Sequence, residues 1–309
     1  MRYSVIIPVY NRPDEVDELL QSLTQQSFKD FEVIVVEDGS SIPCKPVTEK
    51  YQELLDVHYY DKPNSGPGQT RNYGVERSKG EYLIILDSDC ILPEGYFLAV
   101  EEELQHEAAD AFGGPDRAHE SFTNIQKAIN YSMTSFFTTG GIRGGKKKMD
   151  KFYPRSFNMG VRREVYQALG GFSRMRFGED IDFSIRIFKG GYTCRLFPGA
   201  WVYHKRRTDF RKFFKQVHNS GIARINLYKK YPESLKLVHL LPAAFMRFWY
   251  AWTPLSGTVA SASGSTPSPP PSSSSSDTGR GSCAPGGTAA YLARTSSRRS
   301  KRTFTNKED

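Results

Sequence analysis

Short apolar runs that alternate with helical patterns are the feature that most constrains this fold. Four runs in the first third of the chain are rich in β-branched and aromatic residues: Tyr3–Val9, residues 31–37, residues 57–60 and Tyr82–Leu86. Segments with apolar residues at helical spacing, such as residues 13–26, separate them. Strands that are apolar on both faces must be covered on both faces. The sequence therefore predicts an α/β fold, with a mostly parallel central sheet and helices on both sides of it.

Polar, turn-rich residues follow three of these runs, at residues 8–11, 37–40 and 87–89. The carboxyl ends of parallel strands lie along one edge of a sheet, and ligands bind in the crevice beyond that edge. We therefore expect the three polar segments to meet there, with the carboxylates of Asp87 and Asp89 outside the core and lining a crevice.

The spacing of Asp87 and Asp89 is the most specific signal in this group. Side chains at i and i+2 of an extended segment point to the same side. Both carboxylates could then face one hard cation such as Mg²⁺ or Mn²⁺, which prefers oxygen ligands and substrate phosphates. Asp-Ser-Asp is also ordinary turn chemistry. The position directly after a buried strand and before Pro93 favours the cation site.

Three further segments offer polar groups to a ligand. Residues 66–74 read as a loop that opens a helix, where backbone N–H groups or Arg71 can meet phosphate. This loop lacks the GxGxxG pattern, so no dinucleotide fingerprint is predicted. Asp38 lies in a predicted turn and could accept a hydrogen bond from a nucleotide base. Glu179 and Asp180 precede a predicted helix at residues 181–188, where acids also serve as ordinary caps.

His204 follows an aromatic strand, predicted at residues 200–203, and precedes the cationic residues 205–207. A lone histidine is more often structural than a ligand, but a histidine at a strand end beside cations is not a core residue. Cys90, next to Asp89, is interpreted as a packing residue because no histidine lies near it in the sequence.

The overall composition restricts the partners only loosely. The net charge of +8 suits anionic partners such as nucleotides, phospholipid surfaces or nucleic acid, and does not choose among them. The four cysteines show neither CxxC nor metal-finger spacing, which suits a reducing compartment. The apolar run at the N-terminus is too short for a signal peptide. We therefore expect a cytoplasmic protein.

The C-terminal region differs from the rest of the chain. Residues 235–252 are apolar but short and interrupted for a membrane span, so they predict an interfacial helix at the inner face of the plasma membrane. The basic segment 205–215 would add attraction to anionic lipid. Residues 253–309 are rich in Ser, Pro and Gly and predict a disordered tail. The predicted divisions are a catalytic domain at 1–230, an interfacial helix at 231–252 and a tail at 253–309.

Six segments in a fixed order complete a larger pattern: residues 4–11, 37–40, 66–74, 87–89, 158–172 and 178–182. Together they resemble the family 2 inverting glycosyltransferases of the GT-A fold, over residues 1–230. The resemblance implies transfer of a sugar from a nucleotide-diphosphate sugar, with a UDP-sugar foremost, to a hydroxyl of a glycan or lipid-linked acceptor. It also implies Mn²⁺ or Mg²⁺ as cofactor and no nucleic-acid partner. The QxxRW motif of processive synthases is absent, so transfer of one sugar is expected.

The resemblance further implies roles for individual residues. Glu37 stands where many relatives have Asp, which leaves the neighbouring Asp38 in place. Asp180 matches the general base of the inverting members. Asp89 and His204 match ligands of the divalent cation, and Asp87 a contact to ribose or metal. The nucleotide-binding set is Pro8, Tyr10, Asp38, Arg71 and Asp87.

Two other functions are compatible with part of the pattern. Mg²⁺-dependent phosphotransferase or nuclease domains also place DxD after a strand, but they need further acids after other strands, whereas the first strand here ends in residues 8–11 without one. A non-catalytic sugar-nucleotide-binding module predicts a degraded DxD or Glu-Asp pair, and both are intact. The glycosyltransferase interpretation accounts for more of the residues.

Overall fold

The structure, a computed structural model, describes residues 1–134, 152–205 and 207–235, together with His239 and Arg247. Most of the predicted interfacial helix and the whole predicted tail lie outside the described residues. The boundaries of the three predicted divisions therefore stay predictions.

The described residues form ten strands and eight helices. The strands are β1 Tyr3–Val9, β2 Phe31–Asp38, β3 Val57–Lys62, β4 Tyr82–Leu86, β5 Cys90–Ile91, β6 Ala111–Gly113, β7 Asp116–Arg117, β8 Asn158–Arg162, β9 Cys194–Leu196 and β10 Val202–His204. The helices are α1 Pro13–Thr24, α2 Lys45–Glu49, α3 Pro67–Val75, α4 Tyr96–His106, α5 Asn124–Thr134, α6 Arg163–Ala168, α7 Glu179–Lys189 and α8 Phe210–Lys230. A short 3₁₀ turn, Pro232–Ser234, follows α8.

The central sheet has the strand order β3-β2-β1-β4-β8-β6-β9 within the described residues. Strands β3, β2, β1 and β4 are parallel, as in the register Tyr3↔Phe31 and Tyr3↔Tyr82. Strand β8 runs antiparallel to both β4 and β6, and β6 and β9 are parallel. The predicted mostly parallel sheet is thus confirmed. A smaller sheet, β5-β10-β7, lies at the end of β4 because β5 follows β4 after a short turn.

Two cores lie on opposite faces of the central sheet, because neighbouring residues of each strand point to opposite sides. One core contains Val5 and Ile7 of β1 and packs against α1 and α4, through side chains such as Phe97. The other contains Ile6 of β1 and packs against α3, α6 and α7, through side chains such as Phe183. The prediction of helices on both faces is therefore confirmed.

Two glycines allow helices to pack closely, one against the central sheet and one against another helix. A Cβ atom at Gly74 would lie 2.8 Å from Ile6 Cγ2, so only glycine lets α3 approach the sheet this closely. Gly178 has φ +83°, the left-handed conformation that glycine adopts at little cost, and it precedes α7 directly. A Cβ there would lie 3.1 Å from Ala223 Cβ of α8.

The boundaries of one predicted helix and one predicted strand differ from those in the structure. The helix predicted at residues 181–188 begins at Glu179, because Gly178 turns the chain immediately before it; both acids therefore lie in the first turn. The strand predicted at residues 200–203 is Val202–His204, so His204 belongs to the strand. No helix in the described part of the chain is long and apolar enough to cross a membrane.

Candidate active site

The polar ends of β1, β2 and β4 meet at one edge of the sheet, as predicted. Asn11, after β1, donates its backbone N–H to Ser40 Oγ after β2, at 2.7 Å. Its side-chain Oδ1 accepts from the backbone N–H of Ser41 at 2.8 Å. Arg12 Nη1 lies 2.7 Å from Asp89 Oδ2 after β4. These contacts join segments that are far apart in the sequence into one polar rim.

The expectation that Asp87 and Asp89 lie on an extended segment is wrong. Strand β4 ends at Leu86, and the backbone N–H of Cys90 donates to Asp87 O at 3.2 Å, which closes a turn over the two residues between them, Ser88 and Asp89. A turn rotates successive side chains in different directions, so the i, i+2 rule no longer applies. Asp87 and Asp89 accordingly have different partners.

Asp89 is buried between two cationic or polar groups. Its Oδ2 accepts the 2.7 Å hydrogen bond from Arg12, and its Oδ1 lies 3.2 Å from His204 Nε2. Burial alone would raise the pKa of Asp89, but His204 and Arg12 hold this pKa well below its usual value. Asp89 is therefore a carboxylate throughout the neutral pH range.

His204 reaches Asp89 because two short strands pair. Strand β10 runs antiparallel to β5 with the register His204↔Cys90, which places the imidazole beside the turn that carries Asp89. The ring stacks on Phe157 at 4.7 Å between centroids, and its Nδ1 lies 3.9 Å from Asp116 Oδ2. The structure thus brings Asp89 and His204 together, although they are far apart in the sequence.

These residues form one of the two groups of potential metal ligands among the described residues: Asp89, Cys90 and His204 each offer an atom within 4.8 Å of the others. Asp89 Oδ1 is buried with His204 Nε2 at 3.2 Å, and because a carboxylate oxygen has two lone pairs, one remains for a cation. Burial raises the pKa of the Cys90 thiol well above its usual value, and its Sγ lies 3.3 Å from Phe157 O. A carboxylate and an imidazole fit Mn²⁺, whereas a protonated thiol does not. The packing role predicted for Cys90 agrees with this geometry.

Arg71 links Asp87, the first acid of the DxD turn, to Glu179 at the start of α7. Its Nη2 lies 2.8 Å from Asp87 Oδ1, and its Nη1 lies 2.9 Å from Glu179 Oε1. The guanidinium is buried and its Cζ lies 5.3 Å from the ring centroid of Phe172. Burial raises the pKa of Glu179, partly offset by Arg71, while Asp180 raises it further.

Asp180 pairs with a different arginine from the one that Glu179 contacts. Arg155 Nε donates to Asp180 Oδ2 at 2.8 Å, and the backbone N–H of Ile181 donates to Oδ1 at 2.8 Å. Burial would raise the pKa of Asp180, but the charges of Arg155 and Arg71 lower it overall. The two neighbouring acids therefore pair with different arginines.

Asp38 organises the loop that precedes α3. Its carboxylate accepts backbone hydrogen bonds from Ser65 and Gly66, each at 2.9 Å, and also bonds Lys62 Nζ. Burial would raise the pKa of Asp38, but the bonds from Lys62 and Ser65 lower it overall. Glu37 faces a different segment, since its Oε2 accepts from the backbone N–H of Cys44 at 2.7 Å. Glu37, which is longer than the Asp expected at this position, therefore stabilises the segment between residues 37 and 44.

The two remaining predicted nucleotide residues lie at the end of β1. Pro8 is half-buried and pairs in register with Val36 of β2, while the Tyr10 side chain is 55% exposed. An exposed aromatic ring beside a polar rim is available to stack on a planar ligand. The role of each predicted residue stays a prediction.

A family model described as Glycosyl transferase family 2 matches residues 4–170 of this chain. The match spans β1 to α6, and so includes the polar rim with Asp38, Arg71, Asp87 and Asp89. The chain belongs to glycosyl transferase family 2. The predicted membership of a glycosyltransferase family is thereby confirmed.

Relatives and solved structures agree with this family. An uncharacterized glycosyltransferase of Haemophilus influenzae is 30% identical over 193 residues, which are 60% of this chain and 62% of the relative. Staphylococcus aureus TarS 1–349 in complex with UDP-GlcNAc superposes with a TM-score of 0.53 at 21% identity, covering 75% of this chain and 73% of TarS 1–349. The Pyrobaculum calidifontis mannosyltransferase PcManGT, in complex with GDP-Man and Mn²⁺, has a TM-score of 0.59 at 17% identity, covering 86% of this chain and 76% of PcManGT. The family 2 chain therefore has the predicted GT-A fold.

Sequence reasoning missed three residues of this site and the partner of a fourth. Arg12, Lys62 and Arg155 each bind one of the predicted acids, and Glu179 binds Arg71 instead of only capping a helix. Arg12 directly follows a segment of the family pattern, so its position gave a signal. The other three contacts depend on how distant segments fold together.

Proposed function

We propose that this protein transfers one sugar from a nucleotide-diphosphate sugar to a hydroxyl acceptor, with inversion at the anomeric carbon and with a divalent cation. The main support for this proposal is the position of Arg71, whose guanidinium contacts Asp87 of the DxD turn and Glu179 of α7. One buried side chain thereby connects Asp87, proposed for donor binding, to Glu179, the neighbour of the proposed base. This arrangement supports donor and acceptor chemistry at a single edge of the sheet.

The donor would occupy the rim formed by the ends of β1, β2 and β4. Pro8, Tyr10 and Asp38 would hold the base and ribose, while Arg71 and Asp87 would hold the remainder of the nucleotide. A UDP-sugar is the favoured donor, because the TarS structure holds UDP-GlcNAc. The PcManGT structure holds GDP-Man, so a nucleotide-diphosphate sugar is the class that both neighbours support.

Asp89 and His204 would hold the divalent cation, Mn²⁺ or Mg²⁺. When bound, such a cation neutralises the charge that develops on a diphosphate leaving group. The available lone pair of Asp89 Oδ1 and its 3.2 Å separation from His204 Nε2 support this pair of ligands. Arg12 contributes a positive charge at the same carboxylate.

Asp180 would accept the proton of the acceptor hydroxyl. Its pKa is lowered, so the side chain is ionised at neutral pH and can act as a base. Arg155 holds the carboxylate through Oδ2 and thereby fixes its orientation. A base that removes the proton while the hydroxyl attacks opposite the leaving group gives inversion.

The acceptor is proposed to be a glycan or a lipid-linked sugar, reached at the inner face of the plasma membrane from the cytoplasm. Helix α8 supports peripheral contact, since it exposes Phe210 at 63% and Phe214 at 73% beside Lys212 and Lys215. Exposed aromatic side chains and basic side chains together favour an anionic lipid surface. Transfer of a single sugar follows from the absence of QxxRW.

A screen of nucleotide sugars tests this function. The full chain is incubated with each donor, with and without Mn²⁺, and release of the nucleoside diphosphate is measured. We expect turnover with one donor class that needs the cation. Asp89→Ala should abolish cation-dependent binding of that nucleotide in calorimetry while the fold is retained, and exposed Glu102→Gln is the matched control. Turnover without any cation, or unchanged nucleotide binding by Asp89→Ala, would contradict the proposal.

A further inference from the structure

A second group of potential metal ligands lies at the opposite edge of the sheet from the active site. Glu32 near the start of β2, Asp56 just before β3 and His58 in β3 each offer an atom within 4.8 Å of the others. The polar rim described above lies at the carboxyl ends of the same strands. This group is therefore separate from the proposed glycosyl-transfer site.

Glu32 carries the strongest signal in the group, because it is a buried carboxylate with one unused oxygen. Its side chain is 1% exposed. Its Oε1 accepts from Ser4 Oγ at 2.6 Å and from the backbone N–H of Lys79 at 2.5 Å. Its Oε2 is buried and accepts no hydrogen bond. A buried carboxylate oxygen without a donor is costly, so a cation at this position would be stabilising.

The unused oxygen points toward the other two members of the group. Glu32 Oε2 lies 3.8 Å from His58 Nε2, and His58 Nε2 lies 3.0 Å from Asp56 Oδ1. Atoms that share one zinc ion at bond lengths near 2.1 Å lie about 3 to 3.5 Å apart. Small side-chain movements would therefore bring all three atoms to ligand distance.

The backbone positions the three residues independently of any ion. Strands β2 and β3 are parallel with the register Ile34↔His58, and the N–H of Val33 donates to Asp56 O at 2.8 Å. Asp56 and His58 are 50% and 37% exposed at the side chain, which leaves solvent a path to the group. Water can complete the coordination from that side.

We infer that Glu32, Asp56 and His58 form a binding site for a divalent transition-metal ion, Zn²⁺ foremost. Two carboxylates and one imidazole suit zinc better than magnesium, which prefers oxygen ligands alone. The ion would join the beginning of β3, an edge strand, to the beginning of β2, and through Glu32 to Ser4 of β1. The bound ion would stabilise this edge of the sheet. This inference does not depend on the proposed sugar transfer.

Calorimetric titration of the metal-depleted full chain with ZnCl₂ tests the site, together with thermal unfolding with and without zinc. The wild type should bind zinc here in addition to any zinc held by Asp89 and His204. Asp89→Ala should keep the site and its zinc-dependent rise in Tm. His58→Gln should weaken zinc binding at this site at least about tenfold and lose that rise.

Three further variants make the outcome unambiguous. His58→Cys supplies a different zinc ligand and should restore binding, whereas an imidazolium paired with the two acids would not be restored this way. His106→Gln removes an exposed imidazole elsewhere and should change nothing. Asp56→Asn repeats the test at an exposed side chain if His58→Gln does not fold. Zinc binding that Asp89→Ala abolishes entirely, or that His58→Gln or Asp56→Asn leaves unchanged, would overturn the site.

Discussion

Arg12 Nη1 lies 2.7 Å from Asp89 Oδ2, on the carboxylate that we propose as a cation ligand. A guanidinium and a divalent cation both lower the energy of this buried carboxylate, so the two compete for its charge. Arg12, which directly follows the polar segment at residues 8–11, thus controls the electrostatics of the turn after β4. Arg12 is a positioning and charge-setting residue for the proposed cation site.

Arg12→Gln is expected to increase the affinity of the nucleotide-free protein for Mn²⁺ by roughly tenfold, because it removes one positive charge beside Asp89. Calorimetric titration with Mn²⁺ measures the change in affinity. Arg195→Gln, which alters a half-buried arginine that is paired with Glu103 and lies outside the proposed cation site, is the matched control. Weaker Mn²⁺ binding by Arg12→Gln would show that Arg12 supports the cation site instead of competing with it.

Asp180→Asn should reduce transfer to a hydroxyl acceptor by about a hundred- to ten-thousand-fold, since asparagine cannot accept the proton. Donor affinity should be nearly unchanged, because Asp180 bonds Arg155 and not the DxD turn. Glu179→Gln should cost less, as glutamine can still accept a hydrogen bond from Arg71. Steady-state kinetics with a genuine acceptor separate kcat from KM. Near-normal kcat in Asp180→Asn would remove Asp180 from the role of base.

Arg155→Ala should shift the acidic limb of the pH–rate profile to higher pH. The charge of Arg155 lowers the pKa of Asp180 against the effect of burial, so its removal lets that pKa rise. A base must be ionised, and activity is therefore lost as pH falls through its pKa. As pH falls, the wild type should keep its activity to pH values below the usual pKa of an aspartate. The variant should lose its activity at a higher pH. Coincident profiles would contradict the coupling.

Asp182→Asn should lower the free energy of unfolding by about 2 kcal/mol at neutral pH, because it weakens the ion-pair cluster that this buried carboxylate forms with Arg186 and Lys230. Asp182 is fully buried; its Oδ2 lies 3.0 Å from Arg186 Nε and its Oδ1 lies 2.5 Å from Lys230 Nζ. Denaturant unfolding measures the difference, with the exposed Glu102→Gln as control. A loss within a few tenths of a kcal/mol would show that the cluster contributes little.

The same cluster predicts a pH dependence of stability. Burial would raise the pKa of Asp182, but bonds from Lys230 and other neighbours lower it overall in the folded state. A depressed folded-state pKa contributes stability above the unfolded-state pKa, and this contribution is lost as pH falls through the folded-state value. The stability difference between wild type and Asp182→Asn should therefore shrink in acid. A constant difference at all pH values would exclude this linkage.

Local patterns in the sequence were sufficient for the fold class and for the position of the site. Apolar runs such as Tyr3–Val9 and Tyr82–Leu86 predicted a covered parallel sheet, because strands buried on both faces have nearly continuous apolar sequences. Parallel strands also share one carboxyl edge, so Asp38, Asp87 and Asp89 could be assigned to it before any contact was known. Hydrophobic patterning and strand direction act over short distances in the chain, and the sequence displays both directly.

The pairing of charges was decided only by the tertiary structure. Arg12 meets Asp89, and Arg71 meets Glu179, across large separations in the chain. A turn after β4 separates Asp87 from Asp89, which their spacing alone suggested would act together. Which cation reaches which carboxylate depends on how α3, α7 and β10 pack against the sheet, and packing is a property of the whole core. The sequence by itself therefore determined the chemical groups at the site, while the three-dimensional fold determined their partners and their pKa values.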